Sequence, residues 1–272
     1  MPALFEILAE QEVAPPRCAL EQEYGAALLL TRDRVAANFV STIDGVASFG
    51  MNRDDSRAVG GGVVADRVLM AMLRALAGVI LIGAGTLRAA PNHQWTPAAL
   101  APQRTDDLAA LRTAAGLPDA PAPLLVVSGS GDLPAQAEAV VRPATPLHVL
   151  RSGGLSTVPA PREQPALPPA DTAIEAAQIV ASARSLTGAG PILCEGGPHL
   201  LGGLLAGAVP LDLFLTVAPQ MAGRSDQSPQ RRSLVEGVAL PPFSRSGRLR
   251  SLRRAGDHLM LRYAIDAHHQ AS

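Results

Sequence analysis

The residues best placed to do chemistry lie between Gly190 and Gly207, GPILCEGGPHLLGGLLAG. A short apolar run, Pro191 to Cys194, reads as a buried strand. A Glu195-Gly196-Gly197 turn follows, then a helical pattern with Leu200, Leu201, Leu204 and Leu205 on one face. A strand ending in glycines that open a helix suits an anion: backbone approaches it without side chains, and the first helical N–H groups point at it. Pro198 fits the first turn, where a missing N–H costs nothing. Glu195 stands at the strand end and would project towards whatever the loop holds. The competing reading is a turn that only packs helix on strand. A second turn of this kind, Gly83-Ala84-Gly85-Thr86, follows the apolar run Val79 to Ile82. In open α/β sheets ligands bind at that strand edge.

Asp44 stands in a third candidate turn, Ser41-Thr42-Ile43-Asp44-Gly45, after the strand Val35 to Ser41. An Asp before Gly is a turn-former as well as a candidate acid. Asn38 is polar within that apolar strand, so it satisfies neighbouring backbone or faces a ligand. Ser128 closes a further apolar strand, Leu124 to Val127, in Ser128-Gly129-Ser130-Gly131. Its hydroxyl suits a ribose or phosphate, or caps a turn. The chain has no Lys, which excludes a Walker loop and a lysine Schiff base. His93, His148, His199 and His258 lack ligand-like spacing, so no metal site is expected.

These turns need a scaffold. Between them run helical patterns at Val63 to Ala77, Pro102 to Gly116 and, capped by Asp171, Thr172 to Leu186. Arg67 and Arg74 fall on or near the polar stripe of the first. Alternating strands and helices predict a mostly parallel sheet with helices on both faces, made mixed by a closing hairpin, Leu249–Ala255 and Leu259–Ile265. Residues 1–33 read as an arm with a short helix over Glu6 to Glu12, residues 34–266 as one large domain, and 267–272 as a tail holding His268-His269. Met51 to Gly62 and Val158 to Pro169 read as loops. Trp95 and Phe49 suit a pocket mouth or the core. Arg231-Arg232 and Arg245 to Arg254 read as a solvated basic edge.

Of 272 residues, 47% are apolar and 17% charged, enough for a sizeable core. The net charge of −1 argues against nucleic acid as a general partner. Two distant cysteines, no signal-like start and no long apolar run predict a cytoplasmic protein without disulfides or a membrane segment.

Three stretches, VAANFVSTIDG (35–45), LRALAGVILIGAGTL (73–87) and LCEGGPHLLGGLLAGAVPLDLFLTVAPQMAG (193–223), resemble in order the reductase domain of riboflavin biosynthesis. That resemblance implies the dihydrofolate reductase-like fold, a three-layer sandwich around a mixed, mostly parallel sheet. It is to the reductase half alone: the zinc deaminase signatures of the bifunctional enzymes, His-x-Glu and Pro-Cys-x-x-Cys, do not occur. It further implies a homodimer, a small-molecule substrate and hydride transfer from NADPH to C1′ of a ring-opened phosphoribosylamino pyrimidine. Carried over by position, Gly83, Gly85, Thr86, Ser128, Gly196, Gly197, Leu200 and Leu201 would hold the cofactor. Asn38, Arg74 and Glu195 would meet the substrate, Arg74 through its phosphate. Glu195 and Asp44 are the candidate catalytic carboxylates. Asn38 replaces a lysine common in the bifunctional enzymes, Ala89-Ala90 replace acidic residues, and Gly60-Gly61-Gly62 replace a serine-bearing loop. A dihydrofolate-type or other imine reductase, and a non-catalytic nucleotide-binding protein, are the alternatives.

Overall fold

The computed structural model describes residues 4–11, 14–51, 55–130, 133–141, 143–157, 174–187, 190–225, 227, 230–240 and 244–267. The strands are β1 (Glu6–Glu10), β2 (Val35–Thr42), β3 (Val46–Ser48), β4 (Val79–Gly83), β5 (Leu124–Val127), β6 (Leu147–Arg151), β7 (Gly154–Thr157), β8 (Ile192–Cys194), β9 (Leu211–Ala218), β10 (Arg232–Ser233), β11 (Gly247–Ala255) and β12 (His258–Ile265). The helices are α1 (Ala19–Tyr24), α2 (Asp55–Val59), α3 (Val64–Leu76), α4 (Ala84–Ala89), α5 (Pro97–Leu100), α6 (Thr105–Ala114), α7 (Ala135–Val141), α8 (Ala176–Thr187) and α9 (Pro198–Ala206).

Among the described residues ten strands form one sheet in the order β1-β11-β12-β9-β2-β8-β4-β5-β6-β7. The block from β9 to β6 is parallel throughout. Antiparallel strands flank it: β12, β11 and β1 on one side, β7 on the other. The three residues of β8 lie at the heart of the block, Ile192 pairing with Val35 of β2 and Val79 of β4. Such a position explains the uninterrupted apolar runs, because both faces of these strands are covered.

Alternation sorts those runs into two cores. Ala36, Ile80, Ile82, Leu193 and Phe214 pack with Leu69, Met72, Leu73 and Leu76 of α3. Val35, Ala37, Leu81, Ile192 and Cys194 pack with Ile179 and Ala183 of α8 and Leu201, Leu204 and Leu205 of α9. The result is helix, sheet, helix, in three layers, and each fully buried Leu or Ile contributes roughly 1.5–3 kcal/mol. Gly78 and Gly190 let the starts of β4 and β8 close together: a Cβ on Gly78 would stand 2.6 Å from the Gly190 Cα.

Several expectations are corrected. Glu6 to Glu12 holds no helix: Glu6–Glu10 is β1, an edge strand on β11. Arg254 pairs with Glu6 and Arg253 with Glu10, each at 2.5 Å, so ion pairs across the ladder fix an otherwise ambiguous segment. Arg253 is therefore no solvated edge residue; it is 1% exposed, its guanidinium 3.6 Å over the Tyr24 ring. Met51 to Gly62 is not all loop, because it holds α2. Asp171, Pro169 and the rest of 158–173 lie outside the described residues, as does His268-His269; α8 begins at Ala176. The closing hairpin stands as predicted, turning at Gly256-Asp257.

Candidate active site

Register brings the polar residues together. Cys194 is level with Ala37 on one side and Leu81 on the other, so Glu195 is level with Asn38 and Ile82. Its N–H donates to Leu81 O at 3.0 Å. One step beyond the α9-facing Cys194, its side chain turns to the α3 face and meets Arg74. Nε of Arg74 lies 3.0 Å from both Glu195 oxygens and Nη2 lies 2.7 Å from Oε2. Nη1 donates to the Gln94 and Thr96 carbonyls, each at 3.2 Å, and Nη2 also reaches His93 Nε2 at 2.9 Å. All five guanidinium hydrogens are thereby committed. Because Arg has no acceptor, His93 Nε2 must accept, which places the imidazole proton on Nδ1. Burial, with the adjacent Arg74 charge, pushes His93 down to about 3 and keeps it neutral. The Trp95 ring lies under the guanidinium, 5.1 Å away, and meets His93 edge-on.

Arg74 is thus neither solvated nor a phosphate holder in this arrangement. Its side chain is 1% exposed and that of Glu195 4%, and no donor is left for a substrate phosphate. The amphipathic pattern of α3 assigned it to the polar stripe because its partner comes 121 residues later.

The two glycine turns differ in kind. A Cβ on Gly196 would lie 2.5 Å from the Ile82 Cα and 2.7 Å from the Gly83 N, so strand packing demands this glycine. Gly197, at φ 62, turns the chain in the left-handed region that favours glycine and begins α9. There Leu201 N–H bonds to Gly197 O at 3.1 Å, so it is already spent; His199 and Leu200 carry the N–H groups that the helix leaves over. After β4 the chain runs straight into α4 with Gly83 as its N-cap. A Cβ on Gly83, Gly85 or Gly129 would meet nothing within 4 Å. The carboxyl ends of β4 and β5 thus present bare backbone. Thr86 Oγ1, 3.3 Å from where a Gly197 Cβ would sit, marks where this step faces the α9 turn.

A model of the RibD C-terminal domain matches residues 33–253. The chain belongs to the RibD C-terminal domain family. Among solved structures it is similar to Acinetobacter baumannii RibD (TM-score 0.59, 16% identity), covering 86% of this chain and 58% of that one. It is also similar to a pyrimidine reductase-like protein from Corynebacterium diphtheriae (TM-score 0.54, 20% identity, 86% and 92% covered). A third is the riboflavin biosynthesis reductase Rib7 of Saccharomyces cerevisiae (0.51, 14%, 90% and 97%). No curated protein matches the sequence. These likenesses show the fold, dihydrofolate reductase-like with a mixed sheet.

Within this RibD-type fold, the other expected site residues scatter. Asn38 is 8% exposed beside Glu195. Asp44 lies elsewhere, exposed in the β2–β3 turn. It accepts from Thr42 Oγ1 at 2.5 Å and from Ala222 and Gly223 N–H, at 3.1 and 2.6 Å. Those bonds hold it down at about 2, so it serves as a turn-former tying loop 219–225. Ser128 is buried, its N–H on Leu150 O. Leu200 and Leu201 point their side chains into the core. Burial pushes the Cys194 thiol up to about 12, which makes it inert. Sequence reading gave His93 no role, left Trp95 between pocket mouth and core, and missed Asp66. Asp66 shares the stripe of Arg74 at helical spacing, 66-70-74, and that spacing was the available signal. Among the described residues no cluster could hold a metal, and no helix is long and apolar enough to cross a membrane.

Proposed function

We propose that the protein is an NADPH-dependent reductase of the riboflavin-pathway type, acting on 5-amino-6-(5-phosphoribosylamino)uracil or a close relative. The observation that carries this reading is the bare backbone step at Gly83, Gly85 and Gly129, beside a buried Glu195–Arg74 pair at the carboxyl edge of a parallel sheet. A dinucleotide fits that edge. Its pyrophosphate needs close backbone approach, which the step and the spare N–H groups of α9 offer, and the nicotinamide would lie towards Glu195 and Asn38. A bound reduced nicotinamide supplies the hydride. The chain supplies position and exclusion of water. Arg74 locks the Glu195 carboxylate so that it can orient the substrate as an acceptor without rotating, and neutral His93 adds no competing charge.

Asn38 and Ala89-Ala90 favour a second substrate, a pterin or other imine, because they offer fewer charges to a phosphoribosyl group. The test is fluorescence titration with NADPH, then loss of nicotinamide absorbance on adding the pyrimidine or dihydrofolate. The reading expects saturable binding and turnover on the pyrimidine. Turnover on dihydrofolate alone moves the substrate, and binding with no turnover on either supports a non-catalytic nucleotide-binding protein. Glu195→Gln is expected to cut turnover by about 100-fold with NADPH affinity nearly unchanged; equal loss of both would contradict its role. A cytoplasmic homodimer belongs to this reading, and sedimentation as a monomer at micromolar concentration would remove the dimer.

A further inference from the structure

Reduction of a carbon–nitrogen double bond needs a proton as well as a hydride. The following rests on the reductase reading above. Two carboxyls considered so far are poor proton sources. Glu195 is the counterion of Arg74, accepting at 2.7 and 3.0 Å, and Asp44 is an exposed turn residue held at about 2.

A third carboxyl stands on the same wall. Asp66 lies in the first turn of α3, two turns before Arg74 on the stripe that faces the sheet. Thr216 of β9 lies close enough for its hydroxyl to favour the Asp66 carboxylate. Thr216 is level with Val40, two residues beyond Asn38 and on the same face, so Asp66 covers the strand edge next to Asn38 and Glu195. Gly60 closes over it: a Cβ there would stand 3.9 Å from Asp66 Oδ2, and the Gly60 carbonyl accepts from His258 Nε2 at 2.9 Å. Asp66 as a whole is only half-buried. Its surroundings favour the acid. Burial raises its pKa and the nearby Glu195 charge adds to this, against Thr216, His258 and the helix N-terminus, which favour the carboxylate.

We propose that Asp66 is the proton donor of the reduction, at the far end of a polar wall that runs from Asn38 and Glu195 to Thr216. The step balances. The substrate carbon gains a C–H bond with the two electrons of the hydride, and the double-bond pair moves onto the nitrogen. The nitrogen takes the proton of Asp66, and a solvent proton restores the acid. The dinucleotide leaves oxidised, so each turnover consumes one NADPH and one proton.

The test has two arms. In protein labelled with carboxyl-13C aspartate, Asp66, assigned through Asp66→Asn, is expected to titrate above the exposed aspartates. Titration among them overturns the proposal and leaves the reductase reading standing. Asp66→Asn is expected to bind NADPH within about threefold of wild type and to reduce 5-amino-6-(5-phosphoribosylamino)uracil about 100-fold more slowly. An unchanged rate overturns the proposal alone. A wild-type protein that neither binds NADPH nor reduces that pyrimidine overturns the reading and the proposal together. Should the variant not fold, the wild-type single-turnover rate decides: it is expected to fall with rising pH along the Asp66 titration curve, and a flat rate overturns the assignment.

Discussion

Arg74 commits every donor it has. Such a buried pair is costly to break because the surviving partner keeps its charge without its hydrogen bonds. Arg74→Ala is expected to lower stability by about 3–5 kcal/mol in urea unfolding. The double variant Arg74→Met, Glu195→Gln, which removes both charges, is expected to recover much of that loss; additive losses would contradict the pairing. His93 gives a pH signature. Its folded pKa, about 3, lies below its ordinary 6.5, so the unfolded chain binds its proton first as pH falls. Stability from this group is complete above pH 6.5 and declines towards pH 3. Between pH 6.5 and 4, His93→Gln is expected to flatten the acid loss by about 3 kcal/mol in urea unfolding, with an unchanged slope counting against it. None of this network was legible locally. Pattern could mark Glu195 as the residue at a strand end, but Arg74 looked like the polar side of an amphipathic helix.

At the scale of elements, the two strand-to-helix junctions look alike as sequence and differ as structure. The β8–α9 junction needs Gly196 for packing against Ile82, and the β4–α4 junction leaves Gly85 free. Gly196→Ala is expected to cost about 2–3 kcal/mol in thermal unfolding through overpacking. Gly85→Ala is expected to leave stability unchanged or slightly raised, as alanine favours a helix by about 1 kcal/mol. It should nevertheless weaken NADPH binding about tenfold or more, read by fluorescence titration; equal stability and equal affinity would show that the step is only surface. The apolar strands β2, β4, β5 and β8 were legible because burial on both faces writes continuous hydrophobic runs. β1 was not: its five residues carry no decisive period, and its pairing partner lies at the other end of the chain.

For the whole molecule, that distant pairing makes the N-terminal segment part of the sheet. Phe5 is buried against Tyr24, with ring centroids 5.3 Å apart, and β1 covers Arg253. Removing the Glu10 carboxylate leaves Arg253 buried without its counterion. Glu10→Ala is expected to lower the urea midpoint by the equivalent of about 3 kcal/mol. An unaltered midpoint would mean that the arm is ornamental. Fold class and the two-sided layering were readable from alternating elements, whereas the closure of the sheet by its first strand depends on contacts that no window along the chain contains.

The proposed dinucleotide would lie across the carboxyl edge between the β4–α4 step and the start of α9. A crystal structure with NADPH tests it most directly. The pyrophosphate is expected against the backbone of residues 83–86 and the first N–H groups of α9, with the nicotinamide towards Glu195. NADPH bound anywhere else, or that edge left empty at saturating concentration, would contradict it.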